Sequence, residues 1–261
     1  MTETTARARA NAFSTKVGRF YELPDGSAVP SVTTFLKVLP KDALLPWAVK
    51  KTAEFAYDHQ ESWTGLPREA ALRAMKDARF YDTSAIDAGN IAHGIWEELA
   101  KGNKPEVPEG FEGAVAAWEE FNRDFRVEVM YVEPQVISYK HGYAGSFDAM
   151  YRINGKVTLV DLKAGNGMYA SVAPQLAAYA NADVLIDDDG NEIPMPKVEV
   201  LAGIWLRPHG YSLRPITDAE RAWRIAQHAR NMFNDLKRDY ELLGSPVNPA
   251  PVKSPKGPWF K

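Results

Sequence analysis

A chain of 261 residues without a single cysteine can form no disulfide and can hold no iron–sulfur cluster on thiolates. Its 31 basic and 34 acidic residues leave a net charge of −3, which argues against a protein that coats DNA tightly and non-specifically. No apolar run approaches the ~20 residues that span a bilayer and the N-terminus has no apolar signal core, so a cytoplasmic protein without membrane contact is expected.

Residues 1–12 are small, polar and charged, and disorder is expected there. Phe20-Tyr21-Glu22-Leu23 followed by Pro24-Asp25-Gly26 predicts a short hairpin, and Ser31-Val32-Thr33-Thr34 leads into a short helix. Further helices are predicted over 46–59, from Pro67 onward with proline in the first turn, over 84–101 and over 111–125. In the third of these, Ser84 and Asp87 fit a capping box and Gly102 a stop. Ala88, Ile91, Ala92, Ile95, Trp96 and Leu99 form its apolar stripe, with His93 and Glu97 one turn apart on the flank. Residues 13–126 are therefore expected to be mainly helical.

Strands are predicted over 127–133 and 136–139, then over 145–153 and 156–163 as a hairpin around Asn154-Gly155. A glycine-bearing loop, 164–167, leads to a helix carrying Gln175, and 198–207 with 211–216 reads as another hairpin. Thr217-x-x-Glu220 is a capping box opening a long C-terminal helix. The expected organisation is one α/β domain over 13–245, with sheet and helix over 127–216 and the C-terminal helix over 217–245. Residues 246–261, with five prolines and three lysines, form an extended tail. The acidic turn 187–192 is too short for an EF-hand and reads as a solvated hairpin tip.

The central hairpin carries the chemistry. A type I′ turn at Asn154-Gly155 pairs Ile153 with Lys156, and the same register continued outward sets Asp148 across from Asp161. Their Cβ atoms would then lie about 4.5–5.5 Å apart on one face, where like charges repel. Lys163 points to that face as well. A divalent cation, the Lys163 ammonium or a shared proton could relieve the repulsion. A hard cation on two carboxylates can offset charge on a scissile phosphodiester, and Lys163 can orient or deprotonate water or stabilise transition-state charge. A salt-bridged structural cluster of the same residues is the plain alternative. Ser171, Gln175 and Tyr179 fall at i, i+4, i+8 and form an uncharged polar stripe suited to a half-buried surface beside a phosphate backbone. Trp205 reads as core, with a base or phosphate contact for Trp205 and Arg207 as the alternative.

Asp148, then Asp161-Leu162-Lys163, then Gln175-x-x-x-Tyr179 resembles the PD-(D/E)xK nuclease superfamily, and the trailing Gln-x-x-x-Tyr resembles its RecB-like branch. His93 on an upstream helix and the Pro30-Ser31-Val32-Thr33 segment are similar to features of phage exonucleases of that branch. The resemblance implies a restriction-endonuclease-like core, in which a central mixed β-sheet is flanked by helices. It implies a DNA exonuclease dependent on Mg²⁺ or Mn²⁺, one or two ions, without the iron–sulfur cluster some members carry. His93, Asp148, Asp161 and the Leu162 carbonyl would be the metal ligands, and Asp148, Asp161 and Lys163 the catalytic set. Ser171, Gln175 and Tyr179 would meet substrate, with Gln175 and Tyr179 holding the lysine or the scissile phosphate. Glu97, or a backbone carbonyl, would fix the His93 tautomer, and Glu133 would orient water or the lysine. The partner is then DNA, with a recombination protein as a further contact, in a host cytoplasm if the protein is phage-encoded. A structure-specific endonuclease and a non-hydrolysing DNA-binding factor are the other expectations.

Overall fold

The computed structural model describes residues 10–42, 44–77, 84–164, 167–207, 210–236, 242 and 244, and of residues 84–86 only the backbone. The expectations for residues 1–9, for the Ser84 cap, for Gly165 and Asn166, for the C-terminal helix past 236 and for the tail lie outside these residues. The fold is mixed α/β. Among the described residues it has seven α-helices and three sheets, one of them a mixed sheet of five strands. No helix among them is long and apolar enough to cross a membrane.

The first sheet is formed by β1 (Asn11–Ser14), β2 (Arg19–Glu22) and β3 (Ala28–Pro30), all antiparallel. Residues 11 and 12, expected to be disordered, are instead paired with Glu22 and Tyr21. The preceding Ala10 is held by the Gln135 side-chain amide through both its N–H and its carbonyl. The Pro30-Ser31-Val32-Thr33 segment opens α1 (Val32–Phe35), where the Ser31 hydroxyl accepts from Thr34 N–H. Thr34 Oγ1 in turn accepts from Arg19 N–H and donates to Arg19 O, locking this helix onto β2.

Next come α2 (Leu44–Asp58) and α3 (Arg68–Asp77), which pack chiefly on each other. They are followed by α4 (Ser84–Ala100) and α5 (Glu112–Phe125). The second sheet runs β10-β9-β5-β6, with β5 (Gln135–Ser138), β6 (Tyr143–Ser146), β9 (Val184–Ile186) and β10 (Glu192–Pro194). The acidic turn 187–192 is the tip of its β9–β10 hairpin, as expected.

The third sheet runs β12-β11-β8-β7-β4, with β4 (Glu128–Val132), β7 (Ala149–Ile153), β8 (Lys156–Lys163), β11 (Val200–Arg207) and β12 (Gly210–Pro215). Only β8 and β11 are parallel, and the connection between them includes α6 (Val172–Ala180). Alternation divides β8 between two cores. Leu159 faces the core built with α6 and α7 (Ala219–Leu236), while Val160 and Leu162 face the one built with α4 and α5. The C-terminal helix starts later than expected. Asp218, not Thr217, accepts from Arg221 N–H and opens α7.

The predicted strand 145–153 is broken in the structure. Its front belongs to β6 in the second sheet and its back to β7 in the third, with Phe147 turned into the core between them. Asp148 falls at that break rather than inside a strand.

Candidate active site

Asn154 (φ 50°) and Gly155 (φ 80°) make the left-handed turn, and the register below it is the expected one as far as Ala149 opposite Val160. One step further, where Asp148 would face Asp161 across the ladder, β7 has ended. The Asp148 carbonyl turns to accept from Glu133 N–H, 2.9 Å, and its carboxylate accepts from Leu162 N–H, 2.6 Å. A side chain thus substitutes for the strand carbonyl that a continued ladder would have offered to β8.

Asp161 is buried on the α6 side of the sheet. Its Oδ1 accepts from Gln175 Nε2 at 3.2 Å, and Oδ2 lies 2.7 Å from Lys163 Nζ as an ion pair with no group oriented to hydrogen-bond it. Of the three ways to relieve the repulsion, the ammonium of Lys163 is in contact with Asp161. Burial, and then the neighbouring Asp148 charge, push Asp161 up to about 6 against the pull of Lys163. Burial raises Asp148 as well. His93 comes from α4 and places Nδ1 4.0 Å from Asp148 Oδ2, beside the Leu162 carbonyl. Burial and the Lys163 charge lower its pKa, so the imidazole is neutral at neutral pH and free to donate a lone pair.

The expected Glu97–His93 contact is absent. Glu97 pairs with Lys101 one turn on, at 2.5 Å, while the Leu162 carbonyl lies near His93. Glu133 sits in a left-handed conformation (φ 51°) on the rim, and burial together with Asp148 and Glu97 raises it to about 7.

No protein-family model and no curated protein sequence matches the chain. Among solved structures, the crystal structure of SSO0001 matches with a TM-score of 0.31 and 18% identity, over 69% of this chain and 70% of that one. A likeness so distant transfers neither fold nor activity. The site must be read from its own residues.

Two expectations on α6 change. Tyr179 is buried rather than presented to a substrate, packed on Phe147 and against Gly145, where a Cβ would come within 2.6 Å of Tyr179 Cε1. Gln175, beside the Tyr179 hydroxyl, donates to Asp161 rather than holding the lysine. The reason is burial. A helix with no charge on any side, such as α6, fits between packed layers. Ser171, at its start, is exposed and makes no capping hydrogen bond.

One residue escaped the sequence reading. Tyr151 lies on the α4 face of β7 among core side chains, yet its hydroxyl is buried with no hydrogen-bond partner among the described residues. It borders a cleft of about 10 Å³ with His93, Trp96, Glu97, Glu133 and Asp148, room for about one water or ion. Period-two alternation marks Tyr151 as core and says nothing about its hydroxyl. Tyr151→Phe is expected to leave metal-free stability unchanged or raised, since it deletes an orphaned polar atom. A loss above ~1 kcal/mol in denaturant titration would reveal a water bridging that hydroxyl.

The donor chemistry suits a hard cation: two carboxylates, a backbone carbonyl and one neutral imidazole, with Asp161 Oδ2 and the Tyr151 hydroxyl lacking hydrogen-bond partners. Among the described residues no three imidazole or carboxylate groups already close around one point. An ion binding Asp161 Oδ2 would therefore compete with the Lys163 ammonium. A larger cavity, about 180 Å³, is lined by Lys140, His141, Trp223 and Arg230, away from these carboxylates. Its arginine is held by the Gly142 carbonyl through two nitrogens.

Proposed function

We propose that this chain is a metal-dependent deoxyribonuclease of PD-(D/E)xK, RecB-like type on a restriction-endonuclease-like core, acting as an exonuclease in recombination, replication or repair. The observation that carries the reading is the buried Asp161 carboxylate, fixed by Gln175 on one oxygen and facing Lys163 on the other, next to Asp148 and His93. Asp148, Asp161, His93 and the Leu162 carbonyl would hold Mg²⁺ or Mn²⁺. Bound there, the ion would act as a Lewis acid on a phosphodiester oxygen and lower the pKa of water.

The chain's own groups divide the remaining work. Gln175 holds one oxygen of Asp161, so the carboxylate is set before substrate arrives. Lys163, a third exposed, can turn its ammonium from Asp161 to the phosphate and stabilise the charge that develops there. Glu133, raised to about 7 by burial and its carboxylate neighbours, can accept or return a proton at the rim.

The test uses end-labelled linear DNA and closed circular DNA with Mg²⁺, with Mn²⁺ and with chelator. Metal-dependent loss of the linear substrate alone is expected. Nicking of the circle would make the protein an endonuclease. Retarded mobility without cutting would make it a binding factor and end the hydrolytic reading.

A further inference from the structure

Lys163 is opposite Trp205 in the parallel β8–β11 ladder, and Asp161 is opposite Gly203. Directly opposed residues share a sheet face, so the Trp205 side chain lies on the catalytic side, with Arg207 two residues on. Arg214 of β12 is opposite Gly203 and joins the same face. Both guanidinium carbons lie over the indole, Arg207 at 4.6 Å from the ring centroid and Arg214 at 5.7 Å. Among the described residues neither has a carboxylate partner, whereas Arg68, Arg123 and Arg152 each do. Two like charges gathered on one ring beside a third cation, in a chain of net charge −3, are offset only in part by the negative face of the indole.

We propose that Arg207 and Arg214, held on the Trp205 ring, form a backbone-phosphate subsite that guides a single DNA strand past Lys163. The proposal rests on the nuclease reading and adds to it the path of the substrate across β11 and β12. Guanidinium forks match phosphate oxygens in pairs and carry no base preference, so the subsite reads no sequence. Because the arginines cover the ring, Trp205 acts as their platform and not as a base-stacking surface.

The test is fluorescence anisotropy of a short labelled single-stranded oligonucleotide, titrated with the full chain in chelator at increasing salt. Removing both charges with Arg207→Gln and Arg214→Gln together is expected to lower the slope of log K against log salt by about 1.4, from two phosphate contacts on a single strand. Affinity should fall at least tenfold at low salt. The paired Lys variants should keep the slope while losing affinity, because lysine retains the charge and loses the fork. Each single Gln variant should lose half the slope change, which covers a double variant that fails to fold. An unchanged slope in Gln variants, with parental protein that binds and cuts, overturns the subsite and leaves the nuclease reading standing. Parental protein that neither binds nor cuts DNA overturns both.

Discussion

In chelator, Asp161→Asn is expected to melt several degrees above the parental protein above neutral pH, and to abolish metal-dependent cutting. Asp161 is buried and its pKa stands at about 6, so folding favours its neutral form. The sign follows from that. With a folded pKa above the unfolded one, the associated stability is complete below about pH 4 and is lost as pH rises through about 6. At higher pH the parental protein carries a buried charge that disfavours folding by roughly 2–3 kcal/mol, while asparagine carries none. Asparagine keeps an oxygen for Gln175, and Lys163, already 35% exposed, can be hydrated when its partner is neutral. Thermal melts across that pH range check this. The parental melting temperature should decline as pH rises and the variant's curve should be flatter, with a residual slope toward pH 7 from Glu133. A variant that melts lower at every pH would show that the ion pair with Lys163 outweighs desolvation and the repulsion from Asp148.

What sequence alone made legible here was local. The Asn154-Gly155 turn fixes its own φ angles, and the ladder follows it without error to Ala149 and Val160. Asp148 defies the extrapolation because the chain leaves one sheet for another at Phe147, which packs on Tyr179, and a change of sheet is invisible to any pairwise register rule. The two carboxylates nevertheless stay near each other, and the Asp148 charge raises the Asp161 pKa. Tyr179 and Gln175 share one stripe at i, i+4, but a period says only which residues share a face. That this face meets Asp161 and Gly145 depends on where the helix is laid. Glu97 had its partner in the sequence all along, since Glu-to-Lys at i, i+4 is the favoured order on a helix. Arg214 could not be joined to Trp205 from sequence, because the β12 register is what brings it to the ring.

Lys163→Ala is expected to lower cleavage in Mg²⁺ or Mn²⁺ by about 10²–10³-fold, the usual effect of deleting one preorganised charge at a reacting phosphate or acyl centre. DNA binding in chelator should stay within a few-fold of parental, because Arg207 and Arg214 keep the larger share of positive charge on that face. The same substitution removes the largest force lowering the Asp161 pKa, so Asp161 should bind its proton to higher pH and the metal-free protein should take up protons relative to parental near neutrality. Lys163→Arg should not restore the rate, since a planar fork cannot replace a compact ammonium poised between a carboxylate and a phosphate. Comparison of single-turnover rates with anisotropy measured on the same preparations separates the two roles. Cleavage at the parental rate in Lys163→Ala would leave the 2.7 Å contact with Asp161 as a structural ion pair and remove the lysine from the chemistry. Equal losses of binding and cleavage would make it a grip on substrate, since a group acting only in the transition state lowers the rate without weakening the ground-state complex.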